Sequence, residues 1–264
     1  MNAAALAPAF LDIDWRGRPI RIECEWVGAP RDRAPVVVFL HEGLGSLSMW
    51  REFPRDFCAR HDLAGFVFSR YGYGRSTPRA HDERWSPDFM ARQADEVLPA
   101  LFAAAGIERP WLFGHSDGGS IALLHAARHD VAGVVAVAPH LFVEDVSVAS
   151  IAEARRAYET TDLRRRLARH HDDVDSAFYG WNDVWLAPEF RAWNIEHEIE
   201  TIECPVLAVQ GEDDEYGTLE QIRAVARRVP QTELLVLSEC GHSPHRDRPD
   251  ALMREAGRFI VSHS

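Results

Sequence analysis

The sequence predicts an α/β fold: a mostly parallel, eight-stranded sheet flanked by helices and interrupted by a helical insertion. Three observations carry the prediction. Apolar strand-like runs alternate with helix-like stretches over most of the 264 residues, as in a sheet covered on both faces. The run Val36-Val37-Val38-Phe39-Leu40 is apolar throughout, which suits a strand buried on both sides. The alternation stops after Pro139, stays helical in pattern from about His140 to Thr201, and resumes at Pro205. The expected division is a core of residues 1–139 and 202–264, with residues 140–201 inserted as a cap.

In chain order, Leu11–Trp15 and about Ile20–Val27 read as a hairpin across Arg16-Gly17-Arg18-Pro19. Val36–Leu40 follows, then a loop, His41-Glu42-Gly43-Leu44-Gly45, and a helical stretch to about Arg60. Phe66–Phe68 is the next strand, ending in Arg70-Tyr71-Gly72-Tyr73-Gly74-Arg75-Ser76. A long amphipathic helix is expected from about Pro87 to Ala105. Trp111–Phe113 is a strand, a helical pattern runs from Ser120 to Arg128, and Val134–Val137 is a further strand. After the insertion come a strand over Pro205–Val209, a helix over Thr218–Arg228, a last strand over Leu234–Leu237 and a final helix over Pro249–Val261.

The composition is 46% hydrophobic and 27% charged, that of an ordinary globular protein, with a net charge of −12. That sign offers no global field for nucleic acid or an anionic membrane surface. Cys24, Cys58, Cys204 and Cys240 form no Cys-x-x-Cys motif and read as reduced thiols. Residues Met1–Phe10 lack the basic start of a signal peptide, and no apolar run approaches the ~20 residues of a membrane span. A cytoplasmic protein is expected, a monomer or homodimer whose partner is a small-molecule substrate. No metal motif or phosphate-cradling loop is present: His41-Glu42 does not continue as His-Glu-x-x-His.

The chemistry concentrates at Gly114-His115-Ser116-Asp117-Gly118-Gly119. A Gly-x-Ser-x-Gly pattern between a strand and a helix is a nucleophile elbow, a turn too tight for a side chain at its glycines. It exposes the Ser116 hydroxyl at a helix N-terminus, where N–H groups converge. A serine needs a base and a group that orients the base. His242 follows the last strand in Glu239-Cys240-Gly241-His242-Ser243-Pro244 and is the expected base. His125, His129, His170, His171 and His197 fall on helices or in a charged tract and are expected to be solvated. The orienting acid should follow another strand, where Glu212, Asp213, Asp214 and Glu215 stand; composition does not choose among them. One oxyanion donor is expected from the Asp117 N–H and a second from the loop after Leu40.

Five ordered motifs now stand together: His41–Gly45, Gly72–Ser76, the elbow at Ser116, Gly211-Glu212-Asp213-Asp214 and Gly241-His242-Ser243-Pro244. With them the chain resembles, from about Ile20 to its C-terminal helix, a capped serine hydrolase of the α/β-hydrolase fold superfamily, a group of esterases, lactonases, carbon–carbon bond hydrolases and perhydrolases. The resemblance implies Asp214 as the acid, three residues past the glycine that ends the strand. Asp213 is the competitor; in some relatives the acid follows the preceding strand, which would be Glu144 or Asp145. It implies Gly43 as the second oxyanion donor, with Leu44 as the alternative, and no cofactor. Glu42 departs from the usual His-Gly pair. Its carboxylate either anchors the loop or faces the substrate. Trp181, Trp185 and Trp193 are read as cap core, with Trp185 the first choice to line an apolar pocket, and His140 as a residue near its mouth. The implied activity is cleavage of a small to medium, mostly apolar ester, thioester or lactone through an acyl-enzyme. A carbon–carbon bond hydrolase of a ring-cleavage product and a ligand receptor with little turnover are the alternatives.

Overall fold

A computed structural model describes residues 9–264; most of the segment read for a signal peptide lies outside them. The first two strands, β1 (Ala9–Trp15) and β2 (Arg18–Gly28), form the expected hairpin, its turn reduced to Arg16-Gly17. With β3 (Val36–Leu40), β4 (Ala64–Phe68), β5 (Trp111–His115), β6 (Gly133–Val137), β7 (Val206–Gly211) and β8 (Thr232–Leu237) they make one eight-stranded sheet in the order β1-β2-β4-β3-β5-β6-β7-β8. The two pairings of β2 are antiparallel and all the others are parallel.

Both faces of the central strands are covered, which is why β3 carries no polar residue. Val37 and Phe39 pack to one side, with Phe57 of α1 (Phe53–His61) and Phe259 of the C-terminal helix. Val38 and Leu40 pack to the other, with residues such as Leu98 and Ile121. The helix predicted over 87–105 begins later, as α2 (Phe89–Arg92). It passes through a π turn at Gln93–Val97 into α3 (Leu98–Ala105). A proline at the start of α3 has no N–H for the ladder, consistent with the widened turn before it. The elbow helix is α4 (Asp117–Ala126). Edge strand β8 is less covered than its apolar sequence suggests: Leu234 and Val236 are exposed.

Between β6 and β7 the chain forms α5 (Asp145–Thr160), α6 (Leu163–Leu167), α7 (Val174–Leu186) and two 3₁₀ turns, Pro188–Ala192 and Glu198–Thr201. An antiparallel bridge, Phe142 to Asn194, ties the two ends of this stretch. The remaining helices are α8 (Glu220–Arg228), α9 (Pro244–Asp247) and α10 (Pro249–His263). Among the described residues no helix is long and apolar enough to cross a membrane, and all four cysteines are free.

Candidate active site

Ser116 sits between β5 and α4 with φ 54° and ψ −121°, a conformation rare for a residue with a side chain. Close backbone approach enforces it. A Cβ at Gly118 would overlap the Leu40 carbonyl, and one at Gly114 would overlap the Gly118 carbonyl. The Ser116 N–H is tied to the Val137 carbonyl at 2.8 Å. The hydroxyl is therefore lifted above the ends of β3, β5 and β6.

His242 Nε2 lies 2.9 Å from Ser116 Oγ. On the other side of the ring, Nδ1 is 2.9 Å and 3.0 Å from the two oxygens of Asp214. A carboxylate only accepts, so Nδ1 carries the proton and Nε2 presents its lone pair to the serine. Asp214 Oδ1 also accepts from the Tyr216 and Gly217 N–H groups, and Oδ2 from Gln210 Nε2. Burial works against the Asp214 charge, but the His242 hydrogen bond and charge and the Tyr216 N–H outweigh it. The carboxyl is held below its ordinary value.

The other acids lie elsewhere. Asp213 is exposed. Glu144 accepts from Thr218 and from Gln221 Nε2. Asp145 is an exposed partner of Arg191 at 2.5 Å.

Three contacts hold His242 that the sequence did not single out. Glu215 Oε2 accepts from its N–H at 3.1 Å, and His115 Nε2 donates to its carbonyl at 2.7 Å. The Tyr216 ring lies against the imidazole, 4.7 Å between centroids. His115 stands next to the nucleophile, which was its one visible signal. Glu215 was visible as one of the candidate acids, in a different role; Tyr216 had no signal beyond lying two residues past Asp214.

A cavity of about 240 Å³ opens over Ser116, and its lining includes Glu42, Gly43, Leu44, Asp117, His140 and Trp185. All six residues read from sequence as oxyanion or substrate groups therefore meet there. Ile151 and Trp181 add apolar wall from the inserted helices. His140 is buried, 4.9 Å from the Trp185 ring. Burial foremost, and then the charge of His242, lowers its pKa to about 3, so the ring is neutral near pH 7. Trp185 Nε1 donates to Asp117 Oδ1 at 3.2 Å, binding α7 to the elbow. Trp193 does not line the cavity; it stacks on Phe190.

The loop around Glu42 is anchored through its backbone, not through the carboxylate as expected. Glu42 is among the residues lining the cavity, and its carboxylate lies 3.5 Å from His115 Nδ1 and 3.5 Å from Arg246 Nη2. The loop is anchored chiefly through its carbonyl, which accepts from His41 Nδ1 at 2.7 Å, Arg70 Nη2 at 2.8 Å and the Gly45 N–H at 3.1 Å. Two histidines expected to be solvated are buried. His125 bonds the Ala94 carbonyl, and His171 bridges the Gly74 N–H and the Leu44 carbonyl. Each fills a gap between elements distant in sequence and satisfies orphaned backbone groups. Among the described residues no group of three or more His, Cys, Asp or Glu is arranged to hold a metal ion.

The model of the alpha/beta hydrolase family matches residues 37–255, well over half of the chain. The chain belongs to that family. This alpha/beta hydrolase is 26% identical, over 88% of its length and 92% of the relative's, to a Caulobacter sp. (strain K31) protein named "Putative carbamate hydrolase RutD". Among solved structures it is similar to the enol-lactonase from Burkholderia xenovorans LB400, with a TM-score of 0.72 at 20% identity, covering 95% of this chain and 99% of that one. A thermophilic esterase from Thermogutta terrifontis aligns with a TM-score of 0.71 at 18% identity, covering 98% and 100%. At those identities the structural matches speak for the fold, and the family match makes the chain a hydrolase.

Proposed function

We propose that this hydrolase cleaves a small to medium, mostly apolar carboxylic ester, thioester or lactone through an acyl-enzyme on Ser116. The observation that carries the reading is the unbroken chain Ser116 Oγ, His242 Nε2, His242 Nδ1, Asp214, with contacts of 2.9 to 3.0 Å. His242 takes the Ser116 proton as the oxygen attacks the carbonyl. Asp214 holds the imidazole in the tautomer that can accept it and stabilises the imidazolium. The developing oxyanion is met by the N–H groups of Gly43 and Asp117, a pair whose single members are each worth about 10² to 10³ in kcat in comparable sites. His242 then protonates the leaving group and later activates water. Residues 140–201 act in this reading as a cap. Leu44, Ile151, Trp181 and Trp185 supply the apolar wall for the acyl group. A cavity of about 240 Å³ is smaller than the ~300–1,000 Å³ common for drug-sized ligands, which favours a compact acyl group.

The test is a screen of p-nitrophenyl esters of increasing chain length, thioesters, lactones and a carbon–carbon bond substrate, run alongside labelling of the serine by a fluorophosphonate. Multi-turnover ester, thioester or lactone hydrolysis with label on Ser116 is expected. Labelling with turnover only of the carbon–carbon substrate, or no label at all, overturns the proposal.

A further inference from the structure

Arg70 is fully buried, 1% exposed, on the loop after β4. A buried guanidinium is costly unless its surroundings use the charge. Its backbone N–H donates to His41 Nε2 at 2.9 Å, which leaves His41 Nδ1 as the protonated nitrogen. Both His41 Nδ1 and Arg70 Nη2 then donate to the Glu42 carbonyl. The peptide unit from Glu42 to Gly43 is planar, and in a trans unit the C=O and N–H point in opposite directions. Donors gathered at the Glu42 oxygen therefore turn the Gly43 N–H away from them and strengthen it by polarisation.

The same guanidinium faces the other proposed donor. Arg70 Nη2 is 3.9 Å from Asp117 Oδ2, a buried oxygen with no hydrogen-bond partner among the described residues. The groups around the Asp117 carboxyl are Arg70 and Tyr73 from the loop after β4, Glu42 from the loop after β3, Trp185 from α7 and His242 from the loop after β8. Arg70 is the cation opposed to it at contact distance. Burial raises the Asp117 carboxyl to about 6, so near neutral pH it carries negative charge beside the place where an oxyanion would form.

We propose that Arg70 is a positioning residue for the oxyanion site, orienting and polarising the Gly43 N–H through the Glu42 carbonyl while cancelling the charge of the Asp117 side chain. It rests on the acyl-enzyme reading above, because only a developing negative charge makes both effects matter. Removing Arg70 loosens one donor and leaves a like charge next to the other.

The experiment measures kcat, KM and melting temperature for Arg70→Met, Arg70→Lys and the double variant Arg70→Met with Asp117→Asn. Fluorophosphonate labelling of wild type runs in parallel. Arg70→Met is expected to lose about 10²-fold in kcat with KM within about 3-fold, since the interaction belongs to the transition state. Adding Asp117→Asn is expected to recover about 10-fold, which a merely structural Arg70 would not allow. In Arg70→Met, kcat relative to wild type should fall as pH rises and Asp117 ionises, and the double variant should not show this. An Arg70→Met kcat within about 3-fold of wild type, or no recovery in the double variant, overturns the inference while labelling and turnover of wild type leave the acyl-enzyme reading standing. If Arg70→Met does not fold, Arg70→Lys decides: about a 10-fold loss in kcat at unchanged KM is expected, because the ammonium keeps the charge but, on a shorter stem, does not place a donor at the Nη2 position between the Glu42 carbonyl and Asp117. A wild-type kcat there overturns it. Absence of label and turnover in wild type would instead overturn the acyl-enzyme reading itself.

Discussion

The elbow and the inserted helices both border the same cavity, yet they are held by different kinds of contact. Around Ser116 the contacts are mostly between backbones. Gly118 sits against the Leu40 carbonyl, Leu40 pairs with Gly114 across β3 and β5, and the Ser116 N–H bonds the Val137 carbonyl. Around α7 they are mostly between side chains, or from side chain to backbone. Asn182 Nδ2 donates to the Ile151 carbonyl at 3.0 Å, Ser176 Oγ to the Arg79 carbonyl at 2.7 Å, and Trp185 to Asp117. Tyr158 stacks on Phe178 at 3.7 Å. Backbone contacts fix the position of Ser116 closely, and they demand glycine at 114 and 118, where a Cβ would overlap a neighbouring carbonyl. Side-chain contacts can be rewritten one residue at a time. Under the proposed acyl-enzyme reading, the chemistry belongs to the first region and substrate choice to the second.

The largest expected effect lies in the first region. Ser116→Ala should fold normally and lose at least about 10⁴-fold in kcat on a p-nitrophenyl ester, since triad members act as a unit. A purified variant with wild-type turnover would remove Ser116 from the chemistry. Next comes the pair of adjacent acids. Asp214→Asn should cost about 10⁴-fold in kcat by reversing the His242 tautomer, whereas exposed Asp213→Asn should stay within about 3-fold. Equal losses would mean that the hydrogen bond from His242 to Asp214 does not orient the base.

The second region predicts a smaller and more selective effect. Trp185→Phe keeps the apolar wall but deletes the donor to Asp117, and Trp181→Leu widens the cavity. Trp181→Leu should shift kcat/KM toward longer acyl esters by about 10-fold relative to acetate, consistent with the few kcal/mol that one pocket group contributes. Trp185→Phe should lower all esters by a common factor of a few-fold. Identical profiles for the two variants would erase the distinction between wall and tether.

The smallest effect concerns stability. The Asp214 carboxyl is held below its ordinary value in the folded chain, against the cost of burial, by His242 and backbone N–H groups. A depressed folded pKa contributes stability that is present above the unfolded value, about 4 for an aspartate, and is lost as pH falls through the folded value. Denaturant midpoints of wild type should therefore fall more steeply below about pH 4 than those of Asp214→Asn. Parallel curves would show that the carboxylate is no more stabilised folded than unfolded.

What could be read from the sequence alone was whatever is written locally. The strands announce themselves as apolar runs, because a strand buried on both faces admits little else. Ser116 is marked by the glycines that its turn requires. His242 lies in a loop that follows the last strand; the acid was narrowed locally to the four carboxylates after β7, and only the resemblance to the family singled out Asp214 among them. Glu42 stood out only against the His-Gly pattern of the family the chain resembles.

Tertiary structure decided what depends on distant segments meeting. Nothing local distinguishes His171, buried against Leu44 from 127 positions away, from a solvated histidine in an acidic tract. Arg70 reads as one more arginine until β3 and β4 lie side by side and bring it behind the Glu42 carbonyl. The tryptophans of the insertion were seen as a group. Which of them line the cavity depends on α7, which carries Trp181 and Trp185 over Ser116, while Trp193, beyond the helix, stacks on Phe190 instead. A short-range pattern specifies a backbone conformation because sterics and hydrogen bonding act between neighbours. Burial, charge pairing and pocket shape are sums over contacts that exist only once the chain has closed on itself.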